Sequence, residues 1–169
     1  MRGFQTADQF DLAVCFNGSF QHLVSVDDVL AHLSRVRAAL VPGGLYIVSL
    51  PAPEDFVSEP PGASEHRWSA RQGDLTVDVD WTYQQDHIDW NTQTFSGLAR
   101  IQVAEGPARE ELWLSYCYRV FFLQELRALV ALSDRFEVVE TYGDLDLGRT
   151  FAASREPRSM IVVLRRGAT

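Results

Sequence analysis

Apolar positions change period several times along this chain. Asp11-Leu12-Ala13-Val14-Cys15-Phe16 is a short continuous apolar run, the pattern of a strand covered on both faces in a parallel sheet. Asn17-Gly18-Ser19 breaks it with turn chemistry. Ser25 then offers an N-cap, Asp27 and Asp28 place negative charge in a first helical turn, and Val26, Val29, Leu30, Leu33, Val36 and Leu40 follow at helical spacing. This predicts an amphipathic helix over 26–40, stopped by Pro42-Gly43-Gly44. Leu45 to Leu50 is a second buried-strand pattern, ended by Pro51. Strand, helix and strand make one βαβ unit over residues 1–50.

Residues 51–73 carry Pro51, Pro53, Pro60 and Pro61 and read as a loop. The period then becomes two. Leu75, Val77, Val79, Trp81 and Tyr83 alternate with polar residues, Phe95 to Val103 suggests a second strand, and Leu112 to Val120 a third. Gly106-Pro107 is a hairpin signal between the last two. The expectation is a loop and a three-stranded antiparallel insertion over 51–121. A helix from Leu123 to Leu132 and two strands, Phe136–Thr141 and Ser159–Leu164, then fill 122–169. The fold class is α/β, and all 169 residues are expected in one domain.

Composition narrows the function. The hydrophobic share is 46%, the charged share 22% and the net charge −8, which excludes disorder and a disulfide-stapled mini-protein. Nothing in that charge draws the chain to nucleic acid. No apolar stretch approaches a membrane span, so no membrane partner is expected. Cys15 and Cys117 read as reduced core residues of a cytoplasmic protein. His22, His32, His66 and His87 show no metal-ligand spacing, and no phosphate loop or Gly-x-Ser-x-Gly elbow occurs.

The run from Phe10 to Leu50, with Leu40-Val41-Pro42-Gly43-Gly44 between helix and strand, resembles the middle of class I S-adenosylmethionine-dependent methyltransferases. Tyr118-Arg119, Glu125-Leu126, Phe136-Glu137-Val138, Tyr142-Gly143-Asp144 and Met160 to Arg166 extend the resemblance. The fold it implies is a partial Rossmann-like sheet, strand four onward, carrying the antiparallel insertion of small-molecule N- and O-methyltransferases. It also implies S-adenosylmethionine as cofactor and a small-molecule methyl acceptor. The family's glycine-rich turn and its strand-two carboxylate find no counterpart in these residues, so the resemblance is to a truncated methyltransferase.

By that resemblance Phe16, Asn17, Ser19 and Phe20 lie beside the cofactor. An open α/β sheet does bind ligands at the carboxyl ends of its strands; a turn satisfying only its own backbone is the alternative. His22 is the candidate base, against a purely structural histidine. Tyr118, Arg119 and Trp81 are the candidate acceptor contacts, against a strand-edge ion pair and aromatic core. His87 between Asp86 and Asp89 fits a solvated turn better than a base. Two other outcomes stay open: a non-enzymatic remnant that binds or self-associates, and an apolar ligand pocket without chemistry. With no neighbour on its far side, Asp11–Phe16 would be an exposed strand edge, a template for a second copy or a complementing chain.

Overall fold

The computed structural model describes residues 1, 3–54, 56, 66–146, 148–154 and 159–167. Strands β1 (Phe10–Cys15), β2 (Leu40–Pro51), β7 (Phe136–Tyr142) and β8 (Ser159–Arg166) form one four-stranded sheet in the order β1-β2-β8-β7. A second has the order β3 (Arg67–Gln72), β4 (Leu75–Gln85), β5 (Thr94–Glu105), β6 (Ala108–Arg119). Helices α1 (Val26–Ala39) and α2 (Leu123–Ser133) and two short 3-10 helices, Ser19–His22 and Phe151–Ala153, lie between the strands. Where the sequence pattern predicts one domain, the chain divides into two compact units, Met1–Asp55 with Val120–Thr169, and Phe56–Arg119. The two sheets share no strand.

In the first unit β1 and β2 pair in parallel around α1, as the βαβ pattern predicts. Ser25 caps α1 by accepting the Asp28 N–H at 3.1 Å. The Pro42-Gly43-Gly44 stop is a bulge inside β2. Phe10 pairs with Leu40 but Leu12 with Leu45, so the extra β2 residues arch out. Gly43 has φ 79°, and a Cβ on Gly44 would meet the Val41 carbonyl oxygen at 2.9 Å and the Asp11 oxygen at 3.2 Å. Gly44 has no room for a side chain, and Gly43 has the room but a left-handed backbone that a side chain would strain.

One face of this sheet holds the core. Tyr46, Val48 and Leu50 of β2 lie in register with Leu164, Val162 and Met160 of β8, and all six are buried with Val29, Leu33, Val36, Leu126, Leu129 and Val130 of the helices. The opposite face is different. Leu45, Ile47 and Val163 are half-buried, and β1, expected to be covered on both faces, exposes Phe10, Leu12 and Val14. The continuous apolar run gave the strand correctly and its surroundings wrongly, because a run alone cannot say whether a second layer is present.

The insertion carries one strand more than expected. Arg67–Gln72, read as loop, pairs antiparallel with β4 through a Gly73-Asp74 turn, and Gly73 has φ 60°. Gly106 makes the β5–β6 turn at φ 52°. Cys117, expected in the core, is an exposed free thiol, whereas Cys15 is buried. The two-residue alternation of β6 puts Tyr116 inward and its neighbour outward. Pro60 and Pro61 lie outside the described residues, as does the side chain of Tyr83.

Candidate functional site

In the first unit the chain leaves β1 at the strand's carboxyl end and turns sharply. Asn17 and Gly18 both adopt left-handed backbone, at φ 55° and 68°. This turn opens a 3-10 helix, Ser19–His22. Adding a Cβ to Gly18 would bring it 2.7 Å from the buried Gln21 side-chain oxygen. The outcome separates the sequence candidates. Phe16, Asn17, Ser19 and His22 are exposed, whereas Phe20 is completely buried. Its ring meets His32 edge-on at 5.6 Å and Phe121 at 5.2 Å. As a ligand contact Phe20 is therefore a misreading: its size and apolarity place it under the loop, where it anchors the 3-10 turn.

Beneath that loop runs a buried polar chain that sequence reasoning did not find. His32 Nε2 lies 2.7 Å from the Tyr46 hydroxyl, and its Nδ1 lies 3.3 Å from the Met1 carbonyl. A carbonyl only accepts, so Nδ1 carries the proton and Nε2 accepts from Tyr46. The Tyr46 hydroxyl also hydrogen-bonds Cys15, the last residue of β1. Burial lowers the His32 pKa and raises those of Cys15 and Tyr46, so all three are held neutral.

The second unit gathers aromatics on one sheet face. Trp81 stacks on Tyr116, with ring centres 5.6 Å apart and planes 8° apart, and Trp68 lies 6.3 Å from it on β3. Tyr116 and Tyr118 follow at 4.7 Å, and Phe95 meets Tyr118 edge-on at 5.8 Å. Gly97, the β5 residue opposite Tyr116, leaves the space that this ring fills; a Cβ there would sit 2.2 Å from it. Trp81 donates a hydrogen bond to the Tyr118 hydroxyl, while burial raises the Tyr118 pKa. Trp81 and Tyr118 thus belong to one row, and Arg119 ends β6 as a buried residue opposite Thr94. Trp68, at the exposed end of the row, was missed because its strand was read as loop. The Gly73-Asp74 turn was the signal that could have found it.

On the other face Asp80 accepts from Arg67 Nε at 3.1 Å and lies 3.8 Å from Arg100 Nη2, beside a shallow cavity of about 420 Å³. His87 is exposed. Its neighbour Asp89 accepts from the Asn91 backbone N–H at 2.9 Å and the Thr92 hydroxyl at 3.0 Å, which lowers the Asp89 pKa. That is turn chemistry. No group of three or more His, Cys, Asp or Glu that could hold a metal ion occurs among the described residues. No helix among them is long and apolar enough to cross a membrane.

For S-adenosylmethionine the fit is partial. The exposed loop beside β1 can face a nucleoside or sulfonium, but no glycine-rich strand-to-helix turn among the described residues offers backbone N–H groups to the donor's amino-acid tail.

No family model and no curated protein matches the sequence. Solved structures do. An S-adenosylmethionine-dependent methyltransferase from Clostridium acetobutylicum ATCC 824 superposes with a TM-score of 0.70 at 13% identity, over 98% of this chain and 62% of that one. The sugar N-methyltransferase KedS8 from Streptoalloteichus sp ATCC 53650 gives 0.71 at 14% identity, over 98% and 60%. CalS10, an amino pentose methyltransferase from Micromonospora echinaspora, gives 0.61 at 19%, over 98% and 61%. The chain therefore spans about three fifths of the length of these structures. Identities this low speak to fold alone, and the fold of this chain is that of the class I S-adenosylmethionine-dependent methyltransferases.

Proposed function

We propose that this chain takes part in S-adenosylmethionine-dependent methyl transfer to a nitrogen or oxygen of a small molecule, in an assembly that also supplies a glycine-rich donor-binding turn. The observation that carries this reading is the methyltransferase fold running through 98% of the chain, with an exposed polar loop at the carboxyl end of β1. The donor supplies an electrophilic methyl group on sulfur. Phe16, Asn17 and Ser19 form the surface that faces it, and buried Phe20 holds that surface in shape. His22, exposed at the end of the same turn, takes the acceptor's proton when the acceptor starts protonated. Trp81, Tyr118 and Arg119 shape the acceptor side, and most of the acceleration comes from positioning the two substrates. Two of the structural neighbours are described as sugar N- and amino pentose methyltransferases, which supports an amine on a sugar-like ring as acceptor.

A second reading, a non-enzymatic self-association module, is favoured by the exposed apolar strand β1. Calorimetric titration with S-adenosylmethionine separates the two. Binding that weakens on Ser19→Trp, which fills the exposed loop surface, supports the first reading. No heat at high micromolar donor refutes it, if that holds for the chain alone and for the chain joined to a glycine-rich strand–turn–helix segment of a structural neighbour.

A further inference from the structure

The polar face of the second sheet carries its charges in register. Arg67 of β3 stands opposite Asp80 of β4, and Asp80 opposite Arg100 of β5. Two residues further along, Ser69 stands opposite Asp78 and Asp78 opposite Gln102. Both rows line the cavity of about 420 Å³, and Trp68 borders it on β3. Asp80, 7% exposed, is the buried member; Arg100 is half-buried and the others are exposed. The Asp80 Oδ2 takes both guanidinium contacts, at 3.1 and 3.8 Å. Its Oδ1 is buried and has no hydrogen-bond partner among the described residues. A carboxylate that only balanced charge on a wet sheet face would be solvated on both oxygens, so a buried acceptor without a donor calls for a cause.

We infer that this cavity binds a neutral sugar ring, with a ring hydroxyl donating to Asp80. Charge decides the class. Arg67 and Arg100 balance Asp78 and Asp80, so the lining carries no net charge. A phosphate placed there meets two carboxylates, and an ammonium or metal ion meets two guanidinium groups. A hydroxyl both donates and accepts: it gives its proton to Asp80 and takes an N–H from a neighbouring arginine. A sugar presents several such groups on adjacent carbons together with an apolar C–H face, which suits Trp68, 52% exposed. Arg67 is the movable wall, because 60% of its side chain is exposed; turning it outward uncovers the carboxylate. Strand alternation puts this site on the face opposite Trp81 and Tyr118, so its ligand is distinct from the methyl acceptor proposed above.

Saturation-transfer NMR on the full chain, with a panel of methyl glycosides at millimolar concentration, tests this. Transfer to the ring protons of at least one glycoside is expected. Asp80→Asn keeps the shape but replaces an acceptor oxygen by a donor, and should weaken binding about tenfold or more. Should that variant misfold, Ser69→Tyr fills the cavity from an exposed position with Asp80 intact and abolishes the signal. Ser115→Tyr, exposed and outside the cavity, should keep it. No transfer to any glycoside would overturn the inference. So would binding that survives both Asp80→Asn and Ser69→Tyr, or displacement of the sugar by inorganic phosphate or methylammonium. Donor titration of Ser69→Tyr reads the methyl-transfer proposal separately.

Discussion

Removing one buried hydroxyl should expose how much the first unit depends on its polar chain. Tyr46 is 1% exposed, and its oxygen links His32 on α1 to Cys15 at the end of β1. Tyr46→Phe keeps the ring and deletes that link, leaving the His32 Nε2 acceptor and the Cys15 thiol without it. A buried polar group left unsatisfied costs about 1–3 kcal/mol, and a domain of this size loses roughly 2–4 °C of melting temperature per kcal/mol. The pH dependence has a definite sign. The His32 pKa is depressed below 6.5 by burial, so the unfolded chain binds the proton more readily. Stability is then full above about pH 6.5 and falls as pH drops. The Cys15 and Tyr46 pKa values are raised from 9.0 and 10.0, so their share is full below pH 9 and is lost as pH climbs. Urea unfolding at pH 5.0, 7.5 and 9.5 measures all of this, and His32→Gln removes the acid limb alone. Unchanged midpoints in Tyr46→Phe, or an acid limb that persists in His32→Gln, would refute the reasoning.

Gly97→Ala forces the Tyr116 ring out of its place. It should cost about 1–3 kcal/mol through overpacking and flatten the near-ultraviolet circular dichroism of the Trp81–Tyr116 stack. Gly44→Ala drives a methyl group toward two backbone oxygens that cannot rotate away, at 2.9 and 3.2 Å. A similar loss is expected, read by urea unfolding. His87→Ala should leave both thermal melting and donor titration unchanged, because Asp89 is already committed to its own turn.

Much of the fold was legible because its elements obey short-range rules. Ser25, the Asp27-Asp28 pair and the apolar stripe fixed α1, and the period-two alternation from Leu75 fixed β4. Failures arose where local sequence does not report the third dimension. The Asp11–Phe16 run has the composition of a doubly covered strand, yet α1 and α2 pack on one face of the sheet and Phe10, Leu12 and Val14 of β1 stay exposed. Cys117 sits in an apolar-looking stretch, but strand alternation turns it outward. Residues 67–72 look polar because all six are exposed, so hydropathy gave no strand signal there.

The candidate site was legible in part for the same reason. Asn17 and Gly18 announce a tight turn through their tolerance of left-handed backbone, and that turn is what sets Phe16, Asn17, Ser19 and His22 outward. Phe20 shows the limit. In a four-residue 3-10 helix neighbouring side chains diverge by about a third of a turn, and Phe20 and Gln21 are the residues of Ser19–His22 that turn into the molecule. An aromatic in that position goes inward and a hydroxyl or an imidazole outward. Sequence proximity to a ligand loop is thus a weaker guide than the alternation of the loop itself. Had that alternation been weighed, Phe20 would have been assigned to the core beside His32. The polar chain through Tyr46, which joins α1 to the strand end carrying the loop, would still have escaped notice, because His32 and Tyr46 are fourteen residues apart and only the parallel pairing of β1 with β2 brings Cys15 to them.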